Sequence, residues 1–116
     1  MELQLKAPKI WLACEPVDFR KSIDGLAAVL ATEFNRPLGP DLVVFYNRAR
    51  NKIKLLAKHR FGSVLIYKRL DKRKFTFVAN EQGLYELSPS QLAWLVAGLD
   101  WPAMTACDEL DFLDYC

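Results

Sequence analysis

The sequence contains few of the residues from which catalytic and metal sites are usually built. It has one histidine, His59, and three cysteines, Cys14, Cys107 and Cys116, with no CxxC or Cys/His spacing. Neither a disulfide framework nor a zinc site is expected, and the thiols are predicted to be reduced. The five glycines are isolated, so there is no glycine-rich phosphate loop. These absences predict a protein that is not an enzyme and uses no metal or cofactor.

Long hydrophobic runs are missing as well. No apolar stretch approaches the roughly 18–20 residues of a membrane span, and Met1–Lys6 lacks the basic-then-apolar layout of a secretory signal. We therefore expect a cytoplasmic protein with no membrane partner. The 116 residues are the length of a single domain, and a hydrophobic fraction of 52% is enough to form a buried core.

Positive charge is concentrated in the middle of the chain, although the net charge is only +2. Between Asn47 and Lys74 there are eleven lysines and arginines against one acid, Asp71. From Phe75 to Cys116 there is no lysine or arginine, and seven residues are acidic. This segregation predicts a central region that faces a polyanion, and an acidic end that screens it or binds a second protein.

Hydrophobic periodicity predicts two helices. Residues 18–33 carry apolar side chains at helical spacing, with Asp18 as the N-cap and Asp24 at ion-pair spacing from Arg20 and Lys21. Residues 88–99 begin with Ser-Pro-Ser-Gln, which predicts a capping box with proline at the first helical position.

Short β-type segments separate the helices. Strands are predicted at 9–14, 42–46, 52–58, 63–70, 75–78 and 84–87, and connections as short as those between 41 and 78 join antiparallel neighbours. The predicted fold class is therefore α+β, an antiparallel meander of four to six short strands with two helices packed on one face. We expect one domain over residues 1–101 and an acidic-aromatic tail over 102–116.

The loops of a meander alternate between the two ends of its sheet, which groups the cations. The loop with Arg48 and Arg50 should share one end with residues 72–74, whereas residues 58–60 lie at the other end. Lys52 and Lys54 alternate with apolar residues and are expected to face away from the core. The aromatic residues among these cations are Tyr46, Phe61, Tyr67, Phe75 and Phe77. Exposed rings of this kind can stack on unpaired bases, but most of the five are predicted to be core. The candidate nucleic-acid-binding residues are Arg48, Arg50, Lys52, Lys54, Lys68, Arg69, Lys72, Arg73 and Lys74, with Arg20 and Lys21 at the first helix start.

Several segments follow one another in a family-specific order: Ile10–Ala13, Val17–Ala28, Val44–Leu56, Tyr67–Leu70, Lys74–Phe75 and Leu92–Trp101. The most diagnostic is the Asp-Phe-Arg-Lys-Ser-Ile-Asp-Gly-Leu block from Asp18. With these segments the chain resembles the TnpB accessory proteins of insertion sequence family 66. The resemblance implies a small protein that is encoded beside a separate, larger transposase and assists transposition. The chain departs from the family pattern at two places. After Leu56 the family usually has a Trp-Asp pair where this chain has Ala57-Lys58-His59, and after Leu70 it usually has Glu-Xaa-Gly where this chain has Asp71-Lys72-Arg73. Both changes add positive charge.

The basic region and the resemblance together predict a non-catalytic accessory protein that binds DNA through phosphates, without reading bases, and assists the transposase of the same element. The alternative is an adaptor whose basic face binds an acidic surface of the transposase and never contacts DNA. A homo-oligomer is left open as a further partner.

Overall fold

The computed structural model describes residues 5–78 and 81–104. The predicted tail lies outside the described residues from position 105 onward. The elements, in chain order, are β1 (Ile10–Ala13), α1 (Ile23–Glu33), β2 (Leu42–Tyr46), β3 (Lys52–His59), β4 (Gly62–Arg69), β5 (Leu84–Leu87), α2 (Pro89–Val96) and a short 3-10 helix (Trp101–Ala103). Neither α-helix of this part of the chain has the length and apolar character needed to cross a bilayer.

The five strands form one mixed sheet in the order β4-β3-β2-β1-β5. The predicted antiparallel meander is present as β2-β3-β4, and β5 is antiparallel to β1. However, β1 and β2 are parallel, with Ile10 opposite Leu42, so the prediction of a purely antiparallel sheet is wrong. The reason is the α1 crossover, which returns the chain to the end of the sheet where β1 begins.

Helix α1 begins later than predicted. The N-cap position belongs to Ser22, and Asp18 instead accepts hydrogen bonds from the backbone N–H of Arg20 (2.9 Å) and from its guanidinium. Asp18 is therefore a turn residue and not the helix N-cap. Arg20 pairs with Asp18 at 2.7 Å instead of with Asp24, because the helix has not yet begun at Arg20.

The start of α2 is confirmed. Ser88 Oγ accepts from the Gln91 N–H at 3.1 Å, and Gln91 Oε1 accepts from the Ser88 N–H at 2.8 Å. The helix ends at Val96, and the chain then turns at Gly98, whose φ of +82° is one that glycine adopts without steric cost.

The two helices contribute to different clusters of buried side chains. Leu26 and Leu30 of α1 pack with Val43 and Phe45 of β2. Trp94 and Leu95 of α2 pack in the other cluster, which includes Leu42 and Val44 of β2. Because successive strand residues point to opposite faces, α1 and α2 cover opposite faces of the sheet. This arrangement differs from the predicted one, in which both helices share a face.

The segment predicted as a strand at 75–78 is not one. It crosses the α2 face, where Phe75 is buried and the Phe77 ring stacks on Tyr46 with centroids 4.0 Å apart. Thr76 accepts a 2.6 Å hydrogen bond from the indole N–H of Trp101. The apolar residues of this segment thus seal the core and are not paired in the sheet.

Candidate nucleic-acid interface

The β2–β3 loop and the segment after β4 meet at one end of the sheet. The Leu70 N–H donates to the Asn51 carbonyl at 2.8 Å, and the Phe75 N–H donates to the Arg50 carbonyl at 2.7 Å. Between them lies a groove of about 350 Å³ lined by Ala49, Asn51 and residues 70–74. The expectation that these two loops share one end is confirmed. We call this end, with Arg48, Arg50, Lys52, Lys72 and Lys74, the basic end.

Side-chain hydrogen bonds fix the β2–β3 loop. Asn47 Oδ1 accepts from the N–H groups of Asn51 (3.1 Å) and Lys52 (3.0 Å), and Asn47 Nδ2 donates to Asn51 Oδ1 at 2.7 Å. Arg50 adopts φ of +62°, which an ordinary residue adopts only when its surroundings hold it. The loop therefore holds Arg48 and Arg50 in exposed positions at the rim of the sheet.

The end of β4 and the residues after it complete the basic end. Lys72 and Lys74 are exposed, and among the described residues neither forms an ion pair. Arg69 lies 3.3 Å from Asp71, but both side chains are more than half exposed, so this pair contributes little to stability. Arg69 also lies directly opposite Lys52 across the β3–β4 ladder, on the same face.

The turn before α1 reaches the same end of the sheet, because the Val17 N–H donates to the carbonyl of Tyr46 at 2.9 Å. Arg20 and Lys21 follow within this turn and are exposed. The Arg20 guanidinium holds the pKa of Asp18 well below its usual range. Arg20 is thus engaged by a carboxylate, whereas Lys21 has no ion-pair partner in the described part of the chain.

Lys54 is buried, so the prediction that it faces solvent is wrong. Its side chain does point away from Ile53 and Leu55, but α1 and the turn before it cover that face. Lys54 Nζ donates to the carbonyls of Phe19 and Lys21, both at 2.8 Å, and lies 4.9 Å from the centroid of the Phe19 ring. Burial lowers the pKa of Lys54 from its usual value. The ammonium group holds the turn against the sheet and is not available to a ligand at the interface.

Lys68 and Arg73 contact the end of α2. Lys68 Nζ donates to the Val96 carbonyl at 2.5 Å, and Arg73 Nη2 donates to the Gly98 carbonyl at 3.1 Å. Cations at a helix C-terminus satisfy unpaired carbonyls and interact favourably with the helix dipole. Lys68 is half-buried and on the α2 face, opposite in direction to its neighbour Arg69. These contacts could not be predicted from local sequence patterns, because they join residues 25 and 28 positions apart.

Another polar cluster, which sequence reasoning did not find, lies near the start of β2. The carboxylate of Asp41 accepts from Trp11 Nε1 at 3.0 Å and from Arg36 Nη2 at 2.6 Å. The Arg36 guanidinium also lies 4.7 Å from the centroid of the Trp11 ring. The indole and guanidinium donors lower the pKa of Asp41. This cluster joins the α1–β2 connection to β1.

The chemistry available to the remaining groups is limited. Burial, together with the charge of Glu81, raises the pKa of the Cys14 thiol to about 11, so the thiol is protonated at neutral pH. Within residues 5–78 and 81–104, no group of three or more histidine, cysteine, aspartate or glutamate side chains is placed to hold a metal ion. The charged basic end is therefore the strongest candidate for a functional site.

Comparison with known proteins identifies the family of this chain. The model of a family described as IS66 Orf2 like protein matches residues 8–106, so the chain belongs to that family. It is 33% identical over 94 residues to "Uncharacterized protein y4hO" of Sinorhizobium fredii, covering 80% of this chain and 82% of the relative. The protein y4jC of the same organism is also 33% identical over 94 residues, with 80% of each chain covered. No solved structure matches the chain significantly.

Family membership implies a role in the transposition of an insertion sequence. The name Orf2 indicates an accessory protein of the element, in agreement with the accessory role that the resemblance implies.

Proposed function

We propose that the protein binds DNA through phosphate contacts at the basic end and thereby assists the transposase of the same element. The observation that carries the proposal is the convergence of two cationic loops on one groove, held together by the hydrogen bond from Phe75 to Arg50. Residues 42–70 contain no aspartate or glutamate, and Asp71 is the one carboxylate among the residues lining the groove.

The charge arrangement favours an anionic ligand. Like charges directly opposite each other on a β-ladder repel, and Lys52 stands opposite Arg69 in this way. A phosphate bound between these two side chains, on the face of the sheet, would relieve that repulsion. The exposed pair of Arg69 with Asp71 is worth at most about 1 kcal/mol, so Arg69 can exchange its carboxylate for a phosphate at little cost.

The contacts that this site can make are with the DNA backbone. Long, exposed lysine and arginine side chains on loops neutralise phosphates and release counterions, and they carry no sequence information. Engagement of Arg48, Arg50, Lys52, Lys72 and Lys74 corresponds to about four or five phosphates, so log affinity should fall against log salt with a slope near −4.

A salt titration with random duplex DNA tests the proposal. The variant Lys72→Gln/Lys74→Gln should reduce the magnitude of the slope by about 2. The matched control is Lys6→Gln/Lys9→Gln, which removes the same charge from exposed positions near the start of β1, at the far end of the sheet. Thermal unfolding of both variants verifies that the fold is intact.

Two outcomes count against DNA binding at this site. Absence of binding near 50 mM salt by the unsubstituted protein favours the adaptor alternative, in which the basic end binds an acidic surface of the transposase. If the two double variants lose the same amount of DNA affinity, the net charge of the protein, and not the basic end, determines that affinity.

A further inference from the structure

A fully exposed aromatic ring lies at the end of the sheet opposite the basic end. Strands β3 and β4 are joined by a tight hairpin in which His59 is opposite Gly62, leaving Arg60 and Phe61 as the loop. Phe61 is completely exposed. Arg60 and Lys58 beside it are exposed as well.

The residues of this loop are not those that a tight hairpin favours. Two-residue hairpin loops usually use glycine, asparagine or aspartate, because at least one residue adopts a positive φ. Here Arg60 takes φ of +53°, and a phenylalanine follows it. Burial of a phenylalanine side chain stabilises a fold, but within the described part of the chain the Phe61 side chain is not buried. Its ring is therefore accessible to a ligand.

The surroundings of Phe61 indicate the chemistry of that ligand. The charged residues next to Phe61 in the sequence, Lys58 and Arg60, are both positive, and residues 42–70 contain no aspartate or glutamate. An exposed aromatic ring next to two cations matches a nucleotide, whose base stacks on the ring while the adjacent phosphates meet the cations. Bases within an intact duplex are already stacked on each other, so a freely accessible base is an unpaired one.

We propose that Phe61 stacks on an unpaired base of DNA, with Lys58 and Arg60 contacting the flanking phosphates. This inference rests on the proposed DNA binding and deepens it, since it specifies the form of DNA that is preferred. The eight residues of β3 separate the hairpin from the basic end by roughly 25 Å at about 3.3 Å per residue. At about 3.4 Å per nucleotide along one strand, that is a spacing of about seven nucleotides. The preferred ligand is then a duplex with unpaired bases about seven nucleotides from the paired region held by the basic end.

The test compares two DNA probes of equal length, a complete duplex and a duplex that continues into a single strand. Both are titrated with the unsubstituted protein and with Phe61→Ala, Phe61→Trp and Phe61→Leu at one fixed salt concentration. The unsubstituted protein should bind the partly single-stranded probe more tightly. Phe61→Ala should lose roughly tenfold or more on that probe and less than twofold on the complete duplex.

The other two variants separate stacking from simple apolar contact. Tryptophan has a larger aromatic face and should retain the affinity, whereas leucine is apolar without such a face and should behave like alanine. Because Phe61 is exposed, none of these variants should lower the midpoint of thermal unfolding.

Failure of this inference differs from failure of the proposed function. If the unsubstituted protein binds duplex DNA but Phe61→Ala changes neither affinity, Phe61 does not stack on a base and DNA binding stands. If Phe61→Leu retains full affinity, or Phe61→Ala weakens both probes equally, the stacking assignment is wrong. If Phe61→Ala weakens binding to the purified transposase alone, Phe61 is a protein contact. Binding to neither probe by the unsubstituted protein overturns the proposed function itself.

Discussion

The ammonium group of Lys54, in the middle of the sheet, donates a 2.8 Å hydrogen bond to the backbone carbonyl of Lys21, at the turn that precedes α1. Lys54 makes the same contact with the carbonyl of Phe19. One of the cations in the basic segment therefore stabilises the fold, and the charge count of that segment overstates the charge available to a ligand.

Replacement of Lys54 by methionine should destabilise the fold without weakening DNA binding. Methionine keeps the unbranched apolar stem but removes the donor of both hydrogen bonds, at an expected cost of about 1–2 kcal/mol in the free energy of unfolding. Chemical denaturation measures this cost, with Lys52→Met, a half-buried neighbour, as the control. If Lys54→Met has unchanged stability but binds DNA more weakly, Lys54 is part of the DNA-binding surface.

Lys68 and Lys74 should separate structural from ligand-binding cations. Lys68 satisfies a carbonyl in the last turn of α2, whereas Lys74 is exposed and forms no ion pair among the described residues. We expect Lys68→Met to lower the free energy of unfolding by about 1 kcal/mol, and Lys74→Met to leave it unchanged. In DNA binding the order should reverse, with the larger loss for Lys74→Met. Parallel denaturation and binding curves check both statements, and a lower stability for Lys74→Met than for Lys68→Met contradicts them.

The Asp41 cluster should make stability depend on acidity. The donors Trp11 and Arg36 lower the pKa of Asp41 in the folded protein relative to about 3.9 in the unfolded chain. The carboxylate therefore contributes its full stabilisation above about pH 4–5, and the contribution is lost as the pH falls through the folded-state pKa.

Asp41→Asn, which keeps the shape but not the charge, tests this dependence. At pH 7 the variant should be less stable by about 2 kcal/mol, because the Arg36 guanidinium loses a charged acceptor. The difference in unfolding free energy between the two proteins should shrink as the pH is lowered from 6 to 3. A difference that stays constant over this range would mean that the charge of Asp41 does not stabilise the fold.

Local sequence signals predicted the elements better than their arrangement. The capping box at Ser88 and the strands β2, β3 and β4 follow from neighbouring residues, and they are confirmed. The parallel pairing of β1 with β2 depends on where a helix returns the chain, and the strand-helix-strand order was its one sequence sign. Residues 75–78 resemble a strand in sequence because they are apolar and aromatic. A segment that covers one face of a sheet needs the same composition.

The candidate site was predicted in its location but not in all its members. Loop alternation along a meander brought Arg48, Arg50 and residues 72–74 to one end, as the structure confirms. Lys54 was misjudged because alternation tells which way a side chain points, but not whether another element covers that face. The partners of Lys68 and Arg73 are backbone carbonyls, which leave no mark in the sequence.

The position of β1 between β2 and β5 has a consequence for synthesis of the chain. Ile10 pairs with Leu42 on one side and with Leu87 on the other, so one edge of β1 stays unpaired until the last strand has left the ribosome. The hairpins of β2, β3 and β4 need only neighbouring residues and can form first, since local contacts close fastest. A nascent chain that stalls before Leu84 therefore carries an open strand edge and is prone to aggregate.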